Sequence, residues 1–113
     1  MTQQRLKVLA IDDTPTNLMM LGRALAANFD LQIATSGAKG MALAMEAPPD
    51  LILLDVMMPE IDGFETCRRL KADPRSRDIP VFFLTALSDG ESEARGLALG
   101  AADYITKPIN VAI

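Results

Sequence analysis

The side chains best suited to chemistry in this chain are aspartates, one threonine and one lysine, and each stands where an apolar run ends. Asp55 closes Leu51-Ile52-Leu53-Leu54-Asp55, and Asp12 and Asp13 follow the run from Leu6 to Ile11. Thr85 closes Val81-Phe82-Phe83-Leu84-Thr85, and Lys107 follows Asp103-Tyr104-Ile105-Thr106. Gathered in one place, three carboxylates repel one another unless a cation joins them or a proton is retained. Hard oxygen ligands suit Mg²⁺, and Mn²⁺ accepts the same donors. With no other activated nucleophile in the chain, the natural one is a carboxylate, and attack by Asp55 on a phosphoryl group would give an aspartyl phosphate. Such a transfer needs alignment and charge neutralisation, which a metal, the Lys107 ammonium and the Thr85 hydroxyl can supply.

Composition narrows the alternatives. Among the 113 residues there is no histidine, which excludes histidine acid–base catalysis, Ser-His-Asp and Cys-His nucleophiles and histidine metal sites within the chain. Any phosphohistidine chemistry must then involve a second protein. Cys67 is the single cysteine, so an internal disulfide and a cysteine metal cage are both excluded, and a reducing, cytoplasmic setting is the simpler reading. The net charge of −4, with no basic run, argues against direct contact with nucleic acid by this segment. No stretch is long and apolar enough to read as a signal peptide or a membrane span. Half the residues are hydrophobic and 23% are charged, a balance that supports a packed core, and the length fits one domain, residues 1–113.

The elements that must position these groups follow from periodicity. Leu6 to Ile11 reads as the first strand. Thr14 offers a capping hydroxyl before Pro15 at the first helical position, and Leu18, Leu21 and Leu25 follow at helical spacing to about Asn28. Leu31 to Ala34 is a short second strand. Ser36 caps a second helix with an inner stripe of Ala38, Met41, Ala42 and Met45, which Pro48-Pro49 ends. Leu51 to Asp55, four large aliphatics before the acid, reads as a strand buried on both faces. The next helix begins near Asp62-Gly63 and turns Phe64, Cys67 and Leu70 inward, and Ala72 to Ile79 reads as a solvated connection. Pro80 opens the fourth strand. Ser88 or Asp89 caps a helix bearing Ala94, Leu97 and Ala98 and closed by Gly100. Asp103 to Thr106 is the fifth strand.

Strict alternation of strands and helices predicts an α/β fold with a parallel sheet covered on both faces. In such sheets ligands bind at the carboxyl ends of the strands, and every group named above lies there. Each alone has a plainer reading: Asp12 and Asp13 as turn residues, Asp55 as a strand cap, Thr85 as a strand residue, Lys107 as a solvated charge. Their joint placement favours the site.

Ala10-Ile11-Asp12-Asp13, Leu53-Leu54-Asp55-Val56-Met57-Met58-Pro59, Asp62-Gly63, Leu84-Thr85-Ala86 and Asp103-Tyr104-Ile105-Thr106-Lys107-Pro108 resemble, in order, the receiver domain of two-component response regulators. The resemblance implies a flavodoxin-like, doubly wound, five-stranded parallel sheet of order 2-1-3-4-5. It implies that Asp55 accepts a phosphoryl group from a phosphohistidine on a sensor histidine kinase or a histidine phosphotransfer protein, and that the chain is a phosphoacceptor switch rather than an enzyme. Asp12 and Asp13 correspond to the metal-binding pair, completed by Asp55 and the backbone carbonyl of Met57. Thr85 corresponds to the switch hydroxyl, Tyr104 to the aromatic that moves with it, and Lys107 to the cation that pairs with the phosphoryl group. Ala86 matches the small residue beside the acceptor, and Lys107-Pro108 the family's cis peptide. A downstream output domain or partner would read the switched surface around Thr85 and Tyr104. The family's last helix looks truncated here, as in a receiver cut from a longer protein, with an apolar strip where that helix would pack. That helix often contributes to dimerisation, so a homodimer stays open. Apolar Met57 and Leu87, at positions that influence water access, point to slow self-dephosphorylation.

Three other readings share features with this one. A nucleotide or flavin binder of the same architecture would need a Gly- or Ser/Thr-rich phosphate loop where Asp12-Asp13 stands. An aspartyl-phosphate hydrolase would show a second Asp two residues after the nucleophile, where this chain has Met57. A degenerate receiver acting only as a protein-interaction scaffold would not be expected to keep all five polar positions.

Overall fold

Runs of aliphatic residues broken by Pro, Gly and Asp become short strands, and the stretches between them coil. The computed structural model describes residues 5–85 and 90–106, with the side chains of all of these except Thr85, Ser92, Tyr104 and Thr106. Its elements run β1 (Lys7–Ile11), α1 (Pro15–Leu25), β2 (Asp30–Ala34), α2 (Gly37–Glu46), β3 (Leu51–Asp55), α3 (Gly63–Ala72), β4 (Val81–Thr85), α4 (Gly90–Ala98) and β5 (Asp103–Thr106). All neighbouring strands pair in parallel, in the order β2-β1-β3-β4-β5. The flavodoxin-like, doubly wound α/β architecture is therefore as expected.

The pleat sends alternate residues to opposite faces, and both faces of the central strands are apolar. Leu9, Ile11, Ile52, Leu54, Val81 and Phe83 cluster with Ala44 of α2 and with Phe64, Cys67 and Leu70 of α3. Val8, Ala10, Leu53 and Leu84 cluster with Leu18 and Leu21 of α1. On this second face lies an apolar groove of about 160 Å³, lined among the described residues by Val8, Leu21, Leu25, Phe29, Leu51, Leu53, Leu84 and Ile105.

Several local expectations need correction. Thr14 is the N-cap of α1 and Pro15 its first residue, but the Thr14 hydroxyl makes no capping bond, and the helix proper ends at Leu25, three residues short of Asn28. Ser36 does cap α2, accepting from Lys39 N at 3.2 Å. The buried line of α2 is Gly37, Gly40 and Ala44, with Met41 and Met45 half-buried, while Ala38 and Ala42 face solvent. Gly40 lies against the Ile11 side chain and Gly37 against Thr66, so the glycine side is the one that lets α2 approach. The connection from 72 to 79 is not wholly solvated. Ser76 is buried and donates its hydroxyl to the Leu70 carbonyl at 2.7 Å, and Ile79 joins the core. Ala94, Leu97 and Ala98 of α4 are exposed and Gly96 is buried instead. Alanine carries little apolar area, so its position sets a helix face only weakly. Gly100 ends α4 with φ +102°, a left-handed conformation that glycine adopts freely. Ser88 and Asp89, the expected caps of α4, lie outside the described residues, as do Ala86, Leu87, the Lys107-Pro108 peptide and the residues where a last helix would begin.

Candidate functional site

Parallel pairing puts all the strand carboxyl ends on one edge. Ile11 lies opposite Leu54, so Asp12 follows β1 beside the place where Asp55 ends β3. Asp12 and Asp55 are 2% and 6% exposed and Asp13 is half-buried, and one carboxylate oxygen from each lies within 4.8 Å of the others. Local bonds fix the acidic pair. Asp12 N donates to the Ala34 carbonyl at 3.0 Å, tying the end of β1 to β2. Asp12 Oδ1 accepts from Thr14 N at 2.9 Å, an Asx turn that reverses the chain into α1.

The loop from Val56 to Asp62 leads from the end of β3 into α3. Glu60 sits at φ +67°, a left-handed conformation that costs a non-glycine residue on the order of 1 kcal/mol. Asp62 closes the loop as the N-cap of α3: its Oδ1 accepts from Glu65 N at 2.8 Å and its carbonyl from the Thr66 hydroxyl at 2.9 Å. Gly63 N donates to the Val56 carbonyl at 2.8 Å, which brings the start of α3 onto the end of β3. A Cβ at Gly63 would overlap the Asp55 carbonyl oxygen and stand 2.7 Å from Val56 Cα. The glycine is thus required by close approach of two backbones at Asp55 itself.

An open cleft of about 510 Å³ adjoins the acidic cluster, lined among the described residues by Asp13, Val56, Met57, Met58, Pro59, Asp62, Phe64 and Arg95. Met57 is 63% exposed on its wall. Phe64 meets Phe83 edge-on at 5.3 Å, and its face carries the Arg95 guanidinium at 4.3 Å. Cys67, fully buried behind this wall, has its thiol pushed up by burial and offers no competing nucleophile.

Of the expected site residues, the fold brings Asp12, Asp13 and Asp55 together. Thr85 is placed by its backbone: it ends β4 one residue beyond Leu84, the partner of Asp55, and pairs with Thr106. Tyr104 pairs with Phe83 within the sheet. The side chains of Thr85 and Tyr104 and the whole of Lys107 lie outside the described residues. Arg95 and the capping role of Asp62 were not anticipated. Asp62 preceding a glycine and an apolar helix face was a readable cap signal, whereas nothing in the sequence pairs Arg95 with Phe64.

Residues 8–112 match the family model described as the response regulator receiver domain. The chain belongs to that family. Among curated relatives, this receiver domain is 46% identical over 107 residues to the DNA-binding dual master transcriptional regulator RpaA of Synechocystis sp., covering 93% of the chain and 44% of RpaA. The receiver domain thus spans less than half the length of that relative. Its fold matches crystals of the chemotaxis protein CheY4 of Vibrio cholerae with a TM-score of 0.90 and 31% identity, over 96% of the chain and 91% of CheY4. It also matches the Mn²⁺-bound form of response regulator Rcp1, with a TM-score of 0.84 and 26% identity, over 93% and 83% of the two chains. Three clustered carboxylate oxygens are the hard donors that a divalent cation of this kind takes, so the receiver's acidic cluster fits a metal by its chemistry. No helix among the described residues is long and apolar enough to cross a membrane.

Proposed function

We propose that this receiver domain takes a phosphoryl group from a phosphohistidine on a sensor histidine kinase or histidine phosphotransfer protein onto Asp55, with Mg²⁺ or Mn²⁺. The observation that carries the reading is the convergence of Asp12, Asp13 and Asp55, within 4.8 Å, at the carboxyl edge of a parallel sheet. That a response regulator of the same fold, Rcp1, has a Mn²⁺-bound form supports a divalent ion in the reading. A bound divalent ion would neutralise the carboxylates and the phosphoryl oxygens.

The chain's own residues do the rest. Asp55, at the rigid end of β3, presents a carboxylate oxygen to phosphorus. The new oxygen–phosphorus bond forms as the phosphorus–nitrogen bond to the partner's imidazole breaks, and the imidazole leaves with the electron pair. Asp12 and Asp13, with Asp55 and the Met57 carbonyl, would hold the metal. Lys107 pairs with the transferred group and the Thr85 hydroxyl turns to it, followed by Tyr104. The surface around Thr85 and Tyr104 then differs between the two states, and a downstream output domain or partner reads the difference. Any enzymatic output belongs to that partner or domain.

The test is covalent labelling. Incubation with Mg²⁺ and a phosphodonor should add one phosphoryl group to the protein, detected by intact mass. Asp55→Asn should remain unlabelled, and labelling that persists in that variant refutes the acceptor assignment. A parent protein that folds, binds Mg²⁺ and takes no label would instead support the scaffold reading.

A further inference from the structure

The cleft beside the acceptor holds a cation that the proposed chemistry does not yet use. Three of the other arginines are engaged with acids: Arg68 and Arg69 clasp Glu65, and Arg75 clasps Asp73. Arg95, exposed on α4, makes no ion pair among the described residues, and its guanidinium carbon sits over the Phe64 ring, 4.3 Å from the centroid. Stacking occupies the face of a guanidinium and leaves its N–H edge available. Phe64 is itself fixed, 5% exposed and wedged edge-on against fully buried Phe83, so the ring is a rigid platform. Platform and cation share one cleft with Asp13 and Met57.

We infer that Arg95 is a recognition residue for the incoming phosphodonor, held by Phe64 at the mouth of the Asp55 site to receive the donor's phosphoryl oxygens before transfer. The inference rests on Asp55 being the acceptor. A phosphodonor carries negative charge into a site built from carboxylates, in a protein of net charge −4. A guanidinium at the entrance offsets part of that repulsion and offers two parallel donors to a phosphoryl group. It acts on capture and orientation, not on the bond change, so its effect belongs to the second-order rate of phosphorylation and not to the lifetime of phospho-Asp55.

The experiment measures the phosphorylation rate by intact mass with subsaturating acetyl phosphate and with monophosphoimidazole, the smallest compound bearing the phosphohistidine linkage. Arg95→Gln should slow both donors on the order of tenfold, the weight of one charge-assisted hydrogen bond. It should also alter the dependence of the rate on added salt and leave dephosphorylation unchanged. Arg95→Lys, which keeps the charge without the fork, should recover part of the rate. Phe64→Leu should slow transfer in the same direction but less, with thermal unfolding reporting its packing cost separately. An Arg95→Gln protein labelled as fast as the parent, with the same salt slope, overturns the inference. So does a loss confined to one donor, which would put Arg95 on the leaving group. In either case Asp55→Asn would still be unlabelled; labelling of Asp55→Asn would overturn the acceptor reading instead.

Discussion

Two groups of acids in this domain are built on opposite terms. On the outer face of α3, Glu65 accepts from Arg68 at 2.6 and 2.8 Å and from Arg69 at 2.7 Å, and Asp73 is clasped by Arg75 at 2.8 and 3.1 Å. Those arginine hydrogen bonds hold both carboxyls at about 2, well below their ordinary values. At the sheet edge, Asp12, Asp13 and Asp55 instead lie within 4.8 Å of one another, two of them buried. The first arrangement neutralises charge where nothing further is asked of it. The second concentrates like charge where a cation and a phosphoryl group would complete it.

The largest blow to this contrast should come from the backbone that holds the sheet-edge cluster together. Gly63→Ala would drive a methyl group into the Asp55 carbonyl, and we expect it to destabilise the domain by about 3 kcal/mol, the upper end of overpacking costs. The midpoint of urea unfolding measures this, and an unshifted midpoint would mean that α3 can step away from β3 freely.

Next is the like-charge repulsion itself. Without divalent ions, Asp13→Asn should be more stable than the parent by about 1 kcal/mol, because one of three mutually repelling charges is gone. With Mg²⁺ at one hundred times the parent's dissociation constant, the parent should gain about 2.7 kcal/mol by linkage. The variant should gain far less, so the ranking of melting temperatures reverses on adding the ion. If Asp13→Asn is the less stable protein in both conditions, the cluster is structural.

The smallest effect belongs to the surface acids. Glu65 lies at the surface, its side chain about one-third exposed, so Glu65→Gln should destabilise only slightly and the loss should shrink with salt. Its carboxyl is lowered in the folded state from 4.5 to about 2, so its contribution is present above pH 4.5 and disappears as pH falls towards 2. The stability difference between parent and Glu65→Gln should therefore close over that interval. A difference that widens in acid would contradict the assignment.

Much of this was legible in the chain alone. The strands were, because five short aliphatic runs punctuated by Pro, Gly and Asp have no other use in a protein of this size. Their carboxyl ends collected Asp12, Asp13, Asp55 and Thr85 without reference to any coordinates. Helix faces were less readable where alanine and glycine share the work: α2 packs by Gly37, Gly40 and Ala44, and α4 buries Gly96. A glycine is invisible to hydrophobic periodicity, yet it is what lets a helix come close.

The sequence by itself determined the strand–helix alternation and the identity of the acidic trio, since both depend on residue type and on a period of the chain. Only the tertiary structure decided that an Asx bond accepted by Asp12 turns the first loop and that Gly63 is needed for contact rather than for its dihedral angles. It alone stacked Arg95 of α4 on Phe64 of α3, thirty-one positions away, because pairing across elements depends on how two helices settle on one sheet.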